Sequence, residues 1–119
     1  MPRIFFPSSK PTFIDEKKVI ADIREFALKL VKKNKTIKDI YLFGSYANGN
    51  AGFRSDADVL VVLSEDKRRM IDRLDEFILE FVDAPVPVDV LVYTQDELKK
   101  ALEGGSHFLA KAVSGIKLV

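Results

Sequence analysis

Two aspartates separated by a single residue, Asp56 and Asp58, follow the pair Gly44-Ser45 after ten intervening residues. Side chains two apart on a β-strand point to the same face, so both carboxylates would face one site. Glycine lets the backbone approach an anion closely, and Ser45 would begin a helical turn that offers its hydroxyl and free N–H groups to a phosphate. The pattern predicts metal-assisted chemistry on a nucleotide.

Asp89 is a third candidate, because it interrupts the apolar run PVPVDVLVY. If its strand lies beside that of Asp58, three carboxylates crowd together, and two unit charges ~4 Å apart repel by ~4 kcal/mol at an effective dielectric of ~20. Divalent cations would supply the counter-charge. The chain has no cysteine, so oxygen atoms would be the ligands, which favours Mg²⁺ or Mn²⁺.

Each of these residues also has a purely structural interpretation. Asp56 could cap a loop, and Asp58 and Asp89 could be strand residues that face water. Charge placed directly before the apolar run VLVVL is costly without a partner, however, which favours the metal site. The lone His107 is better explained as a surface or helix-start residue than as a ligand, since no second histidine exists to join it.

Composition limits the class of protein. The 119 residues suit one domain, residues 1–119. Nineteen basic against eighteen acidic residues leave a net charge of +1, which gives no sign of a broad basic face and disfavours nucleic acid as the main partner. No apolar run reaches the length of a membrane span or of a signal-peptide core, so we expect a cytoplasmic protein with no membrane association.

Three apolar runs rich in β-branched residues predict the strands that carry the candidate residues. They cover residues 37–43, which end at Gly44, then 55–63, then 86–93. Pro87 lacks an N–H group and therefore fits the start of an edge strand. Residues 116–119 are either a last strand or a tail.

Apolar residues at helical spacing predict the helices. The first runs from a capping box at Thr12 and Asp15 to Lys33. The second follows Ser64, which we expect to cap it. Its apolar residues fall on one stripe that we expect to be core, namely Met70, Ile71, Leu74, Phe77, Ile78, Phe81 and Val82.

Two shorter helices are predicted near the C-terminus. One begins at the capping-box pair Thr94 and Glu97 and ends near Glu103, and a last one spans residues 106–113. Phe108, Leu109 and the tail could alternatively form a partner-binding patch. The fold that we expect is α+β, a two-layer α/β sandwich whose mixed sheet carries the aspartates on one face and helices on the other.

Gly44-Ser45, the Asp56-Ala57-Asp58 motif and Asp89 resemble the nucleotidyltransferase superfamily that includes DNA polymerase β and kanamycin nucleotidyltransferase. Within it the chain is most similar to the minimal nucleotidyltransferases, small single-domain proteins usually encoded beside a HEPN-domain ribonuclease. The resemblance runs from about residue 37 to the end and implies the polymerase β palm-like fold with a mixed sheet.

The resemblance also implies roles. Asp56 and Asp58 would bind two Mg²⁺ or Mn²⁺ ions and the triphosphate of ATP. Asp89 would hold the ion nearer the acceptor hydroxyl and take its proton. The remaining residues that it assigns to the nucleotide are Gly44, Ser45, Arg54 and Ser55.

One position departs from the family pattern. Many minimal nucleotidyltransferases have Arg-Gly where this chain has Asn48-Gly49, so a cation near the triphosphate is missing. We expect Arg54 or a residue of the partner to compensate.

The function that the resemblance implies is transfer of AMP from ATP to a tyrosine of a HEPN-domain toxin, with the protein as the antitoxin. Two alternatives stay open. The acceptor could be a small molecule such as an aminoglycoside, or the protein could neutralise the toxin by binding alone. The oligomeric state also stays open, a homo-oligomer included.

Overall fold

In the computed structural model, which describes residues 16–49 and 56–119, four strands form one mixed sheet. The strands are β1 (Ile37–Phe43), β2 (Ala57–Leu63), β3 (Val88–Thr94) and β4 (Ile116–Lys117). Their order is β3-β2-β1-β4, with β1 antiparallel to β2 and β4, and β2 parallel to β3. The mixed sheet and the α+β class are therefore confirmed, and Pro87 directly precedes an edge strand as expected.

Five helices surround the sheet in the described residues. They are α1 (Glu16–Lys33), α2 (Ser45–Asn48), α3 (Met70–Ile78), α4 (Gln95–Glu103) and α5 (His107–Val113), and one 3-10 turn, Leu79–Phe81, extends α3. The parallel β2–β3 pair needs a crossover connection, which α3 provides. None of the helices in the two described ranges is long and apolar enough to cross a membrane.

One face of the sheet packs on α1 and α3. Odd-numbered residues of β2 such as Val59 and Val61 are fully buried there against Ile23 and Ala27 of α1 and Phe77 of α3. This is the larger of the two apolar clusters, and it contains the buried stripe of α1 that the sequence predicts.

The opposite face carries the aspartates, and helices also cover part of it. Leu60 and Val62 of β2 are buried there with Leu109 and Ala112 of α5, and α4 packs against the same cluster. We expected helices on one face only. The uninterrupted run VLVVL explains the difference, because a strand without alternation is buried on both faces.

The capping residue predicted from the sequence is correct for α4 and wrong for α3. Thr94 and Glu97 form a complete capping box at the start of α4, as predicted. Ser64 does not cap α3, because that helix starts at Met70 with no side-chain cap. The segment between Ser64 and Met70 contains an aspartate turn, in which the N–H of Arg68 donates to Asp66 Oδ1 at 2.8 Å. The predicted box at Thr12 and Asp15 lies outside the described residues.

The stripe that we expected to be core is buried only in part. Phe77 and Phe81 are buried and Leu74 is half-buried against the core, whereas the other large apolar residues of this segment are exposed. The prediction was wrong for Met70, Ile71, Ile78 and Val82. The reason is the position of α3 at the β3 edge of the sheet, where one side of the helix has no neighbouring element among the described residues.

Candidate functional site

Asp58 and Asp89 lie side by side in the sheet. They are register partners in the parallel β2–β3 pair, whose strands run ~4.8 Å apart. Phe43 on β1 is the partner of Asp58 on its other side, so the three residues form one row across the sheet. Paired residues of neighbouring strands point to the same face, and the two carboxylates therefore share one site, as the sequence predicted.

Gly44 follows this row and fits closely against Asp58. Its φ is +81° and its ψ is −150°, a region that only glycine adopts without strain. A Cβ at this position would overlap Oδ2 of Asp58. Both the backbone angle and the contact with the carboxylate therefore require glycine here.

Ser45 is the first residue of α2 and is half-buried. Gly49 closes this short helix in the left-handed conformation, with φ of +74°. The other two residues assigned to the nucleotide, Arg54 and Ser55, lie outside the described residues.

The charges around Asp58 disfavour its ionised form. Burial raises the pKa of the Asp58 carboxyl, and the negative charges of Asp89 and Asp56 raise it further. Asp56 is exposed and lies two residues before Asp58, immediately ahead of β2. Asp58 therefore lies close enough to both of the other carboxylates to feel their negative charge.

Whether these residues fit a divalent cation depends on their donor atoms and their number. Among residues 16–49 and 56–119, no three acidic or histidine side chains converge into a complete metal site. Asp58 and Asp89 are the pair that the structure brings together. Mg²⁺ is usually held by one or two carboxylates together with substrate phosphates and water rather than by an all-protein cage. A paired Asp58 and Asp89 with hard oxygen donors fits that pattern.

A cavity of about 870 Å³ opens over this pair. Gly44, Asp58 and Asp89 form its polar floor, and Phe43 and Leu91 contribute apolar walls. Cavities of this size hold ligands as large as a nucleotide. The candidate catalytic residues and the cavity therefore coincide.

The α5 segment adds cavity residues that the sequence reasoning did not assign to the site. Phe108 and Lys111 both line the cavity, and Phe108 packs edge-on against Phe43 with ring centroids 5.6 Å apart. Of the described residues that line the cavity, Lys111 alone is positively charged. The spacing of Phe108 and Lys111, three residues apart on one helix face, was the available signal.

The C-terminal segment takes a structural role. Ser106 caps α5 by accepting a hydrogen bond from the N–H of Leu109, and Leu109 is buried under the sheet. Leu118 is buried too. Leu109 and the tail therefore do not form the alternative partner patch, whereas Phe108 is exposed. His107 is exposed at the first position of α5, as predicted.

A buried arginine fixes the α3 wall of the cavity. Arg73 is 3% exposed and donates to both carboxylate oxygens of Glu97, at 2.6 and 2.9 Å. It also donates to the backbone carbonyls of Arg68 and Asp66. These bonds join α3 to the start of α4 around the edge of β3, next to Leu74, which lines the cavity.

The sequence of this chain is similar to a known protein family and to named proteins. The model of the nucleotidyltransferase domain family matches residues 23–112. A Methanocaldococcus jannaschii protein, provisionally named a protein adenylyltransferase, is 40% identical over 73 residues, which are 58% of this chain and 50% of that protein. Protein adenylyltransferase MntA of Aphanizomenon flos-aquae is 42% identical over 53 residues, 44% of this chain and 35% of MntA. The chain spans half or less of the length of these two relatives.

A solved structure of a toxin–antitoxin with AMP-PNP has a chain of similar fold. The TM-score is 0.57 and the sequence identity is 26%, and the superposition covers 81% of this chain and 72% of that chain.

Proposed function

Because the chain belongs to the nucleotidyltransferase domain family, we propose that it transfers AMP from ATP to a tyrosine hydroxyl of a HEPN-domain toxin and acts as the antitoxin. Its similarity to MntA and to a chain of a toxin–antitoxin with AMP-PNP supports the substrate and the kind of partner. The single observation that carries the proposal is the pairing of Asp58 with Asp89 at the floor of the cavity.

Under this proposal Asp58 and Asp89 hold Mg²⁺ or Mn²⁺ together with the triphosphate, and Asp56 is assigned to the same cation by its place in the sequence. The cation would neutralise the phosphate charge and orient the reacting oxygens. Gly44 leaves room for the Asp58 carboxylate, and Ser45 offers its hydroxyl and backbone N–H to a phosphate. Arg54 and Ser55 are assigned to the same nucleotide by their place in the sequence.

Lys111 takes the role of a phosphate-binding cation. Its side chain lines the same cavity as Asp58 and Asp89, and an ammonium group is a suitable partner for a triphosphate. The positive charge that an arginine at position 48 would supply comes from α5 instead.

The reaction is an in-line displacement at the α-phosphorus of ATP. The tyrosine oxygen forms a bond to that phosphorus, and the bond from the phosphorus to the oxygen that bridges to the β-phosphate breaks. Pyrophosphate leaves, and the proton of the tyrosine hydroxyl passes to a carboxylate oxygen of Asp89. Positioning and charge neutralisation supply most of the rate enhancement in such transfers.

The apolar walls of the cavity favour transfer to a bound acceptor over hydrolysis. Phe43, Leu91 and Phe108 line the cavity together with the paired carboxylates, and a tyrosine ring that packs on these side chains would displace water from the reacting phosphate. A small acceptor such as an aminoglycoside is polar and cationic, so it would gain less than a tyrosine ring from contact with these apolar side chains.

The test is incubation of the full chain with Mg²⁺, ATP labelled on its α-phosphate, and a purified HEPN-domain partner. We expect label on the partner with the wild type and none with Asp89→Asn, while both proteins still bind ATP. The matched control is Asp96→Asn, an exposed carboxylate of α4 that does not line the cavity. A tight complex without label would instead support an antitoxin that acts by binding alone.

A further inference from the structure

The exposed side of α3 and its 3-10 extension is apolar. Ile71 is 62% exposed, Ile78 and Val82 are each 44% exposed, and Leu79 is 68% exposed. We call Ile71, Ile78, Leu79 and Val82 the α3 face. Single exposed apolar residues are ordinary on a protein surface, but four on one short helical segment mark an interaction site.

The α3 face is continuous with the proposed active site. Ile71, Ile78 and Val82 follow one another at intervals of seven and four residues, which places them on one stripe of the helix. Leu74 lies beside this stripe, and Leu74 and Ile78 both line the cavity over Asp58 and Asp89. An apolar partner bound to the face would therefore reach the mouth of the cavity.

Acidic residues border the α3 face. Between positions 70 and 83 the chain has five acidic residues, Asp72, Asp75, Glu76, Glu80 and Asp83, and one basic residue, Arg73. Exposed cations pair with three of the five, Arg69 with Asp72, Arg68 with Glu76 and Lys33 with Glu80. Arg73 is buried and bonded to Glu97, so Asp75 and Asp83 give the border its net negative charge. The combination of an apolar stripe and an acidic border is complementary to an amphipathic helix with basic flanks.

We propose that the α3 face binds an amphipathic helix of the partner protein, with its apolar side chains on Ile71, Ile78 and Val82 and its lysine or arginine side chains against the acidic border. This inference rests on the proposed function, because the same partner supplies the hydroxyl that receives AMP. The shared residue Ile78 then determines where the acceptor enters, at the β3 edge beside Asp89.

The test uses two synthetic helical peptides and the full chain. Both peptides have the same leucine stripe, flanked by lysine in one and by glutamate in the other, and binding is measured by fluorescence anisotropy. We expect the lysine peptide to bind at least about tenfold more tightly than the glutamate peptide. The double variant Ile71→Ser, Val82→Ser should lose that binding, since both residues contribute exposed apolar area.

Leu28→Ser is the matched control, because Leu28 is 47% exposed on α1 and lies outside the α3 face. It should bind the lysine peptide like the wild type. Circular dichroism of all variants checks that the fold is retained. Equal affinity for the two peptides, or equal loss in the α3-face and Leu28 variants, would overturn the inference.

Binding of Mg-ATP to the same proteins separates this inference from the proposed function. The α3-face variant should bind Mg-ATP normally, since neither substituted residue lines the cavity. If AMP is transferred to a HEPN-domain partner equally well by the wild type and by this variant, the α3 face is not the docking surface and the proposed function stands. If the lysine peptide binds as expected but no HEPN-domain partner is labelled, the docking surface stands and the proposed acceptor is wrong.

Discussion

Asp58 on β2 is the direct register partner of Asp89 on β3. Two carboxylates at this separation repel each other, and the folded chain has to hold them together at the floor of a cavity. Proteins keep such like-charge pairs at functional sites, where a bound cation relieves the repulsion. The stability of the metal-free protein should therefore be sensitive to this pair.

Replacing Asp58 by asparagine should stabilise the metal-free protein. The pKa of the Asp58 carboxyl is raised by burial and by the charges of Asp89 and Asp56, so its ionised form disfavours the folded state. We expect a gain of less than about 1 kcal/mol, because much of the carboxyl still faces solvent. Thermal unfolding in the presence of a chelator measures it.

The pH dependence of this effect has a definite sign. A carboxyl whose folded pKa lies above its unfolded pKa destabilises the protein above the folded pKa, and the penalty disappears as pH falls below the unfolded value of about 3.8. The advantage of Asp58→Asn should therefore be present at neutral pH and shrink in acid. Asp75→Asn, on an exposed part of α3, is the control. An Asp58→Asn variant that unfolds at a lower temperature than wild type at pH 7 would contradict the electrostatic account.

Gly44→Ala should destabilise the protein more than an alanine at another glycine of positive φ. Gly105 has φ of +89° with no atom near the position of a Cβ, whereas at Gly44 the added methyl overlaps the Asp58 carboxylate. We expect a loss of about 1 kcal/mol for Gly105→Ala from the backbone alone and of about 3 kcal/mol for Gly44→Ala. Urea unfolding of both variants measures the difference. Equal losses would show that the contact with Asp58 is unimportant.

The sequence predicted the polar floor of the cavity well and its walls poorly. Gly44, Asp58 and Asp89 could be identified because residue type, spacing and strand pattern all pointed to one arrangement. Phe108 and Lys111 could not, because their place over the sheet depends on how α5 packs, which periodicity does not reveal. The polymerase-like resemblance supplied the roles of the aspartates, and the structure added that β2 and β3 are parallel and in register.

The error on α3 has a similar origin. Its apolar residues have helical spacing, and periodicity alone cannot distinguish a stripe that packs on a core from one left exposed at the edge of a sheet. Arg73 shows the opposite error, because it is a charged residue that is buried. Its burial depends on the ion pair with Glu97, and no sequence pattern indicates that these two residues meet.

Arg73→Met should destabilise the protein by about 2–3 kcal/mol. The substitution removes the bonds to Glu97 and leaves the carbonyls of Asp66 and Arg68 without their donor. Chemical unfolding measures the loss, and a double-mutant cycle with Glu97→Gln isolates the pair. Arg69→Met is the control, because Arg69 is exposed and directly precedes the same helix.

This ion pair also makes stability depend on pH. The hydrogen bonds from Arg73 lower the pKa of Glu97, so its contribution is fully present above the ordinary value of 4.5 and is lost as pH falls through the lower folded pKa. The wild type should therefore lose its advantage over Arg73→Met in acid. A constant difference from pH 7 to the acid limit would show that Glu97 is not the partner that matters.

Lys111→Met should weaken binding of ATP by about tenfold, because it removes the positive charge that lines the cavity while keeping most of the side-chain bulk. Calorimetric titration with Mg-ATP measures the affinity. Lys99→Met, on the exposed surface of α4, should bind like the wild type. Unchanged affinity in Lys111→Met would remove this residue from the nucleotide site.

The central claim is that Asp58 and Asp89 together hold a divalent cation, and a titration with Mn²⁺ tests it without any partner protein. Unbound Mn²⁺ is followed by its paramagnetic resonance signal in the presence of a non-hydrolysable ATP analogue, for the wild type, Asp58→Asn and Asp89→Asn. The account predicts that each substitution weakens Mn²⁺ binding by at least about tenfold. Equal Mn²⁺ affinity in all three proteins would contradict it.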